Sequence, residues 1–181
     1  MSKHVSPGSW WAKQQPLGRP VAKPVLRTAC AKPGDSILIV TEGTVTEQVY
    51  FKLVRNDLKL ATVTVAIHPG DASDPRHVVR TAERLVKDLA RRARKGLLGM
   101  GEPAKYDHVY AVVDTDVAIR QGFWNDVTQL AAARKVTLSP STPCFEIWLL
   151  FHLLGATTRS DLPNGTAAKA AVEEALGQPY S

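Results

Sequence analysis

The sequence predicts an α/β fold in which a mainly parallel four-stranded sheet lies between two layers of helices. Short apolar runs alternate with amphipathic helical segments, as is typical of parallel strands joined by helical crossovers. Two of these runs end directly in acidic residues, within 37–43 and 109–116. The chain has 181 residues, of which 44% are hydrophobic, and this is enough for one substantial core.

The first half of the chain predicts two strands and two helices. Residues 37–40 are typical of a buried strand, and residues 44–47 have the spacing of a capping box, which predicts a helix from about residue 44. Alternating apolar residues over 63–67 predict the second strand. Asp74 and Pro75 suit an N-cap and a first helical position, so we expect a long helix to follow them.

The second half predicts two more strands and three more helices. A strand is expected at 108–113, a helix around 122–134, a short strand over 136–139 and an apolar helix over 143–154. These elements complete a predicted core of residues 36–154. Residues 155–181 form a C-terminal extension with a short helix over 166–176. The absence of a clear closing element there leaves open that the extension is truncated.

Residues 1–35 form a basic arm that contains proline. They hold six of the 23 basic residues, five of the twelve prolines and one acid, so the arm carries a net charge of +5 and the rest of the chain +1. Because the arm has no apolar periodicity, we expect it to be disordered. It either lacks a specific partner or contacts a phosphate backbone, and Trp10 and Trp11 would pack on the domain or stack on bases.

Composition excludes two classes of protein. No apolar run approaches the roughly 18 residues of a membrane span, and no secretory signal is present, so we expect a soluble cytoplasmic protein without a membrane partner. Cys30 and Cys144 give neither a disulfide framework nor a metal-binding spacing, and Cys144 is expected to be a buried thiol. An oligomer is possible, since the sequence does not address the oligomeric state.

Three carboxylates follow predicted strands. Glu42 follows 37–40, and Asp114 and Asp116 follow 108–113. Because parallel strands end at one edge of a sheet, these side chains should meet there. Mg²⁺ prefers such oxygen ligands, so the pattern predicts a Mg²⁺ or Mn²⁺ site that acts on phosphate. The alternatives are a polar turn with a helix N-cap for the aspartates and a solvated loop carboxylate for Glu42.

Three further polar side chains have competing interpretations. Glu146 lies in an otherwise apolar helix, where either the helix dipole stabilises it or it faces the sheet edge as a fourth acidic ligand or a base. The capping box explains Glu47, with a supporting role behind the metal ligands as the alternative. His152 does not share the helical face of Glu146, and we expect it to be a structural or surface residue.

The long helix after Asp74 has one apolar face and one basic face. Only Glu83 and Asp88 interrupt its eight basic residues. We interpret this face as a site for a nucleic-acid backbone, with an acidic protein partner or a plain solvated face as alternatives. The predicted contacts are Arg76, Arg80, Arg84, Lys87 and Arg91.

Three segments resemble the signatures of the RloB-like family. They are residues 37–51, residues 112–116, and the run Ser-Pro-Ser-Thr-Pro-Cys-Phe-Glu-Ile-Trp-Leu-Leu-Phe-His at 139–152, which is the most distinctive. The resemblance covers roughly residues 36–154. The family is associated with bacterial restriction and phage-defence loci, and its core is similar to the Toprim domain of topoisomerases, primases and OLD-type nucleases.

The resemblance implies a Toprim-like Rossmannoid three-layer sandwich and assigns roles to the acidic residues. By motif, Glu42 takes the acid/base or metal-binding role of the glutamate after the first strand, and Asp114 and Asp116 hold the metal. Many members carry charged residues between and after the two aspartates, whereas Thr115 and Val117 stand here. That difference lowers the expectation of full activity but keeps both carboxylates.

These observations predict a metal-dependent nuclease that cleaves DNA or RNA within a phage-defence system, with a defence-system protein partner also possible. The resemblance also favours a catalytic role for Glu146. One alternative is a catalytically degenerate module that binds nucleic acid or docks a partner. Another is a phosphatase of the haloacid-dehalogenase type, whose nucleophile strand the residues around Asp114 mimic. The sequence does not distinguish DNA, RNA and tRNA as substrates.

Overall fold

The computed structural model describes residues 34–58, 64–70, 74–154 and 162–179. Residues 1–33 of the predicted arm lie outside these ranges, and Trp10, Trp11 and Cys30 are among them. Residues 155–161, at the start of the predicted C-terminal extension, also lie outside them. None of the helices within the described ranges is both long enough and apolar enough to cross a membrane.

Four parallel strands form the sheet. They are β1 (Ser36–Thr41), β2 (Thr64–Pro69), β3 (His108–Asp114) and β4 (Thr137–Ser141), in the order β2-β1-β3-β4. The prediction of a parallel four-stranded sheet is therefore confirmed. Because β1 and β3 are parallel neighbours at the centre of the sheet, they end at the same edge. The segments that follow them therefore begin at that edge.

Six helices accompany the sheet within the described ranges. They are α1 (Thr46–Asp57), α2 (Pro75–Arg94), α3 (Asp116–Arg120), α4 (Trp124–Arg134), α5 (Glu146–Leu154) and α6 (Gly165–Leu176). The chain moves one way across the sheet from β1 to β2 and the other way from β2 to β3. Right-handed crossovers therefore place α1 and α2 on opposite faces, which gives the predicted three-layer sandwich.

The main core lies between the sheet and the layer of α2 and α4. Val78, Val79 and Ala82 of α2 are fully buried there, together with Leu38 and Val40 of β1. Burial of each large aliphatic side chain contributes roughly 1.5–3 kcal/mol, so this contact fixes α2 on the sheet. A second, smaller apolar cluster joins α5 to α6, and this cluster fixes α6 beside the sheet edge.

The N-cap predicted for the long helix is confirmed, but the capping box is wrong. The Asp74 carboxylate accepts a hydrogen bond of 2.8 Å from the Arg76 N–H, and Pro75 is the first residue of α2. In contrast, α1 starts at Thr46 without a side-chain cap. The chain turns between β1 and α1 so that Glu47 reaches Gly43 instead of Thr44.

The short helix α3 was not predicted. It begins at Asp116, within the acidic motif after β3, and at five residues it is too short to produce a helical period in the sequence. The helix predicted around 122–134 begins at Trp124. Asp116 is therefore a helical residue and not part of an open turn.

Three apolar side chains in and just before α1 do not form its packing face. Val45, Val49 and Leu53 recur at helical spacing, yet 67%, 47% and 41% of their surfaces are exposed. The helix instead packs through Tyr50, whose ring meets the ring of Phe145 edge to face at 5.3 Å. The Tyr50 hydroxyl also lies 2.9 Å from the Nε2 of His152, so α1 is attached to α5.

Candidate active site

A cleft of about 620 Å³ opens at the carboxyl edge of the sheet. Acidic residues from α1, β3, α3, α5 and the turn after β1 line it, together with two basic residues from α3 and α6. The charged lining residues are Glu42, Glu47, Asp114, Asp116, Glu146, Arg120 and Lys169. The structure therefore brings together the four predicted catalytic residues and adds three charged residues that were not assigned to the site.

The pairing of β1 with β3 positions Glu42 against Asp114. The Glu42 N–H donates to the Val112 carbonyl at 3.1 Å, which extends the strand pairing by one residue. The Glu42 Oε2 then accepts a hydrogen bond of 3.0 Å from the Asp114 N–H. Burial raises the pKa of Glu42, and the nearby Glu47 and Asp116 carboxylates add to the shift, although the hydrogen bond from Asp114 opposes it.

Glu47 supports the turn that carries Glu42. Its side chain is 7% exposed, and its Oε1 accepts a hydrogen bond of 2.8 Å from the Gly43 N–H. A Cβ atom at residue 43 would lie 2.0 Å from the Glu47 Oε2, so glycine allows this close approach. The close approach of Glu47 thus explains why glycine follows Glu42 after β1. The capping-box interpretation of Glu47 did not reveal this.

Asp114 has a strongly raised pKa. Burial raises its pKa from 3.8 to about 8, with further contributions from the charges of Glu42, Glu146 and Glu47. A hydrogen bond from the Phe145 N–H opposes this shift but does not offset it. A positive charge placed among these carboxylates would favour their ionised forms again.

Asp116 and Thr115 point to different environments. Asp116 starts α3 and lines the cleft, and its N–H donates to the Pro143 carbonyl at 3.2 Å. Thr115 is buried, and its hydroxyl lies 3.2 Å from the Ser141 carbonyl and 2.8 Å from the Thr142 hydroxyl. The residue between the two aspartates therefore joins β3 to the end of β4 and does not line the cleft.

Glu146 faces the cleft from the first turn of α5. It is 7% exposed, and the Cys144 thiol donates a hydrogen bond to its carboxylate. Burial, together with this hydrogen bond, raises the pKa of Cys144, and the prediction of a buried thiol is confirmed. Stabilisation of Glu146 by the helix dipole and a place for it at the sheet edge are compatible, because the start of α5 lies at that edge.

The donor set fits a hard divalent cation in its chemistry. Glu42, Asp114, Asp116 and Glu146 offer carboxylate oxygens, which Mg²⁺ and Mn²⁺ prefer. However, within the described ranges no group of three or more His, Cys, Asp or Glu side chains is arranged to hold a metal ion. One Glu42 oxygen is occupied by the Asp114 N–H, so ligation would require these side chains to rotate.

Four of the five predicted nucleic-acid contacts share the outer face of α2. Arg80, Arg84, Lys87 and Arg91 are exposed and line a shallow groove. Two acids moderate its charge: the Lys87 Nζ lies 2.5 Å from the Glu83 carboxylate, and Arg91 pairs with Asp88.

Arg76, the fifth predicted contact, is engaged elsewhere. Its guanidinium binds the Asp74 carboxylate with a shortest distance of 2.6 Å and lies 4.2 Å from the centroid of the Phe123 ring. Hydrogen bonding to Arg76 lowers the pKa of Asp74. Arg76 thus stabilises the start of α2, which lies at the same sheet edge as the cleft because α2 follows β2.

Comparison with known sequences identifies the family. A sequence model of the family described as RloB-like protein matches residues 37–176, more than three quarters of the chain. The chain belongs to the RloB-like protein family. The match passes residue 154, the predicted end of the core, and includes α6 with Lys169. Neither the search of curated proteins nor the search of solved structures returned a match.

Proposed function

We propose that this RloB-like protein is a metal-dependent nuclease that hydrolyses phosphodiester bonds of DNA or RNA. The observation that carries the proposal is the meeting of Glu42, Asp114, Asp116 and Glu146 in one cleft at the carboxyl edge of a parallel sheet. Open α/β sheets place their chemistry at this edge. The role in phage defence rests on the family resemblance.

Glu42, Asp114 and Asp116 would hold Mg²⁺ or Mn²⁺. Such a cation, when bound, supplies charge neutralisation at a phosphate and a more acidic water. Glu42 is oriented by the Asp114 N–H, and Glu47 fixes the preceding turn through Gly43. Glu146, which faces the same cleft, is the carboxylate we assign to accept a proton from the attacking water.

The outer face of α2 would bind the nucleic-acid backbone. Arg80, Arg84, Lys87 and Arg91 are exposed, and the acids that pair with Lys87 and Arg91 lie on the same helix. Exposed ion pairs of this kind contribute little to stability, so phosphates can replace the acids at small cost. Since α2 starts at the sheet edge, a nucleic-acid strand bound along the outer face of α2 would run towards the cleft.

One alternative has an observation in its favour. The described residues contain no preformed metal-binding arrangement, as expected if the protein only binds nucleic acid or docks a partner. The phosphatase alternative is weaker, because it requires a lysine and an acidic pair on later strands. Within the described ranges only β4 follows β3, and its sequence, Thr-Leu-Ser-Pro-Ser, contains neither.

A cleavage assay over several substrates tests the proposal. The purified protein is incubated with duplex DNA, single-stranded DNA, single-stranded RNA and tRNA in Mn²⁺, in Mg²⁺ or in EDTA. We expect metal-dependent cleavage of at least one substrate, which Asp114→Asn abolishes and the exposed control Asp57→Asn retains. Cleavage that is equal in the wild type and Asp114→Asn, or absent with every substrate and metal, would reject the proposal.

A further inference from the structure

Two basic side chains stand among the carboxylates of the cleft. Arg120 is the last residue of α3, and Lys169 lies in α6. Neither was singled out by the sequence, because each is one cation in an ordinary helical segment. Their position matters because a phosphodiester is an anion, which five carboxylates on the cleft wall would repel.

Lys169 has a fixed backbone and an adjustable side chain. The helix α6 is held against α5 by buried Ala171 and Val172, and Asn164 caps it by accepting a hydrogen bond of 3.0 Å from the Ala167 N–H. The Lys169 side chain itself is 62% exposed. The helix therefore fixes where the ammonium group can reach, while the side chain is free to change rotamer.

The contact between Lys169 and Glu146 is an attraction without a hydrogen bond. The Lys169 Nζ lies 3.9 Å from the Glu146 Oε1, which is beyond hydrogen-bonding distance. The ammonium group thus retains its donors while it stays beside the buried carboxylate. An arriving phosphate oxygen can accept a hydrogen bond from the ammonium group at short range, whereas the Glu146 carboxylate accepts none from it.

Arg120 lines the same cleft from α3. It follows Asp116 by four residues on α3, so the two side chains share a helical face, and Arg120 is exposed. Ala118 is buried, and its carbonyl accepts a hydrogen bond of 3.0 Å from the Phe123 N–H, which anchors this short helix. The guanidinium is thus placed at the cleft with a planar fork that suits phosphate oxygens.

We propose that Lys169 and Arg120 form the phosphate-binding subsite of the cleft and hold the non-bridging oxygens of the scissile phosphodiester. This inference rests on the proposed function, since it names the groups that receive its substrate. Lys169 leaves Glu146 for the phosphate on binding, and the Glu146 carboxylate loses its nearby ammonium group at the same moment. Substrate binding and the release of Glu146 are then coupled.

Lys169→Gln and Arg120→Gln test the subsite, with Lys169→Arg as the charge-conserving variant. Lys52→Gln is the matched control, because Lys52 is an exposed lysine on α1 that does not line the cleft. The first measurement is the binding of inorganic pyrophosphate to the Mn²⁺-loaded protein. We expect each Gln variant to weaken it by about ten-fold or more, as for the loss of a charge-assisted hydrogen bond.

Two further measurements separate this role from a structural one. Single-turnover cleavage should slow by about 10²-fold in Lys169→Gln, as when one donor to a developing anion is removed, and Lys169→Arg should recover part of the rate. The affinity for Mn²⁺ alone should stay equal or increase in Lys169→Gln, because a positive charge has left the carboxylates. A merely structural lysine would not produce this combination.

The outcomes distinguish the subsite from the nuclease proposal. Wild-type affinity for pyrophosphate in both Gln variants, or no pyrophosphate binding by the wild type, would overturn the subsite even if Asp114→Asn abolishes cleavage. Pyrophosphate binding that depends on Lys169 in a protein that cleaves no nucleic acid would support the subsite and reject the nuclease.

Discussion

The cleft and the outer face of α2 are both rich in one sign of charge, but they manage that charge differently. In the cleft, Glu42 and Asp114 are partly buried and accept hydrogen bonds from backbone N–H groups, and burial raises the pKa of both. On α2, Lys87 and Arg91 are exposed and pair with acids one turn away. Hydrogen bonding to Lys87 lowers the pKa of Glu83, in contrast to the cleft acids.

This difference separates a site for chemistry from a surface for binding. Like charges that are held together in a partly buried site are relieved by protonation or by a nearby positive charge, such as a metal ion. Exposed basic side chains that are already paired with acids require no further counter-charge. They can exchange these acids for the phosphates of a polyanion. We therefore propose that catalysis takes place in the cleft and that α2 binds the nucleic-acid backbone.

The largest effect is expected in the cleft. Asp116→Asn should reduce metal-dependent cleavage by about 10³-fold or more, equivalent to ~4 kcal/mol in activation free energy, because the variant removes ligand charge at the reacting centre. Asp126→Asn changes an exposed aspartate on α4 and should cleave like the wild type. Single-turnover rates of both variants give the answer, and an active Asp116→Asn would remove that residue from the site.

A smaller effect is expected when four basic residues of α2 are replaced together. Changing Arg80, Arg84, Lys87 and Arg91 to Gln should weaken binding to duplex DNA about equally for all sequences. The slope of log affinity against log salt should flatten by roughly 0.9 for each lost contact.

Arg76→Gln is the matched single control for this helix. Since Arg76 is already bound by Asp74, its replacement should change the salt slope less than Arg80→Gln does. Salt titrations by fluorescence anisotropy compare the two. If affinity and slope both survive the four substitutions, α2 is only a solvated face.

A stability effect is expected at Glu47. Glu47→Ala leaves the Gly43 N–H without its carboxylate acceptor and should lower the free energy of unfolding by about 1–3 kcal/mol. Glu47→Gln keeps an acceptor and removes one of the crowded charges, so it should cost less or be neutral. Urea unfolding of the three proteins in EDTA measures this, and equal losses in both variants would contradict the assigned hydrogen bond.

The last expected effect is a pH dependence of stability that Asp114 should cause in the metal-free protein. Its pKa rises from 3.8 to about 8 on folding, so the folded state retains a proton that the unfolded chain has released. The resulting stabilisation is complete below about pH 4 and is lost as the pH rises towards 8.

Thermal unfolding in EDTA between pH 5 and 8.5 tests this prediction. The wild type should lose stability relative to Asp114→Asn over this range by roughly 10 °C in Tm, because three pH units below the folded pKa correspond to about 4 kcal/mol. Asp57→Asn should follow the wild type at every pH. Parallel curves for the wild type and Asp114→Asn would show that Asp114 does not carry the shift.

The sequence predicted the parallel sheet and the carboxylates after β1 and β3, because apolar runs and the residues that end them are local signals. It did not predict α3, which is too short to show a period. Nor did it predict that Val49 and Leu53 of α1 are exposed while Tyr50 packs on Phe145, since this contact involves a residue 95 positions further along the chain.

The basic side of the cleft was the main feature that sequence reasoning missed. Lys169 reaches the cleft only because α6 packs on α5, a contact with no local signature in either segment. Glu47 was misassigned because its spacing from Thr44 imitates a capping box, whereas the fold directs its carboxylate to Gly43. In both cases the deciding contact depends on how the chain turns or packs in three dimensions.

Isothermal titration calorimetry with Mn²⁺ tests most directly the claim that the cleft is a metal centre. The wild type and the Asp57→Asn control should show saturable binding, and Glu42→Gln and Asp114→Asn should lose most of it. Circular dichroism of the same samples establishes that the variants are folded. The account is contradicted if the folded wild type takes up no Mn²⁺, or if both cleft variants bind it with wild-type affinity.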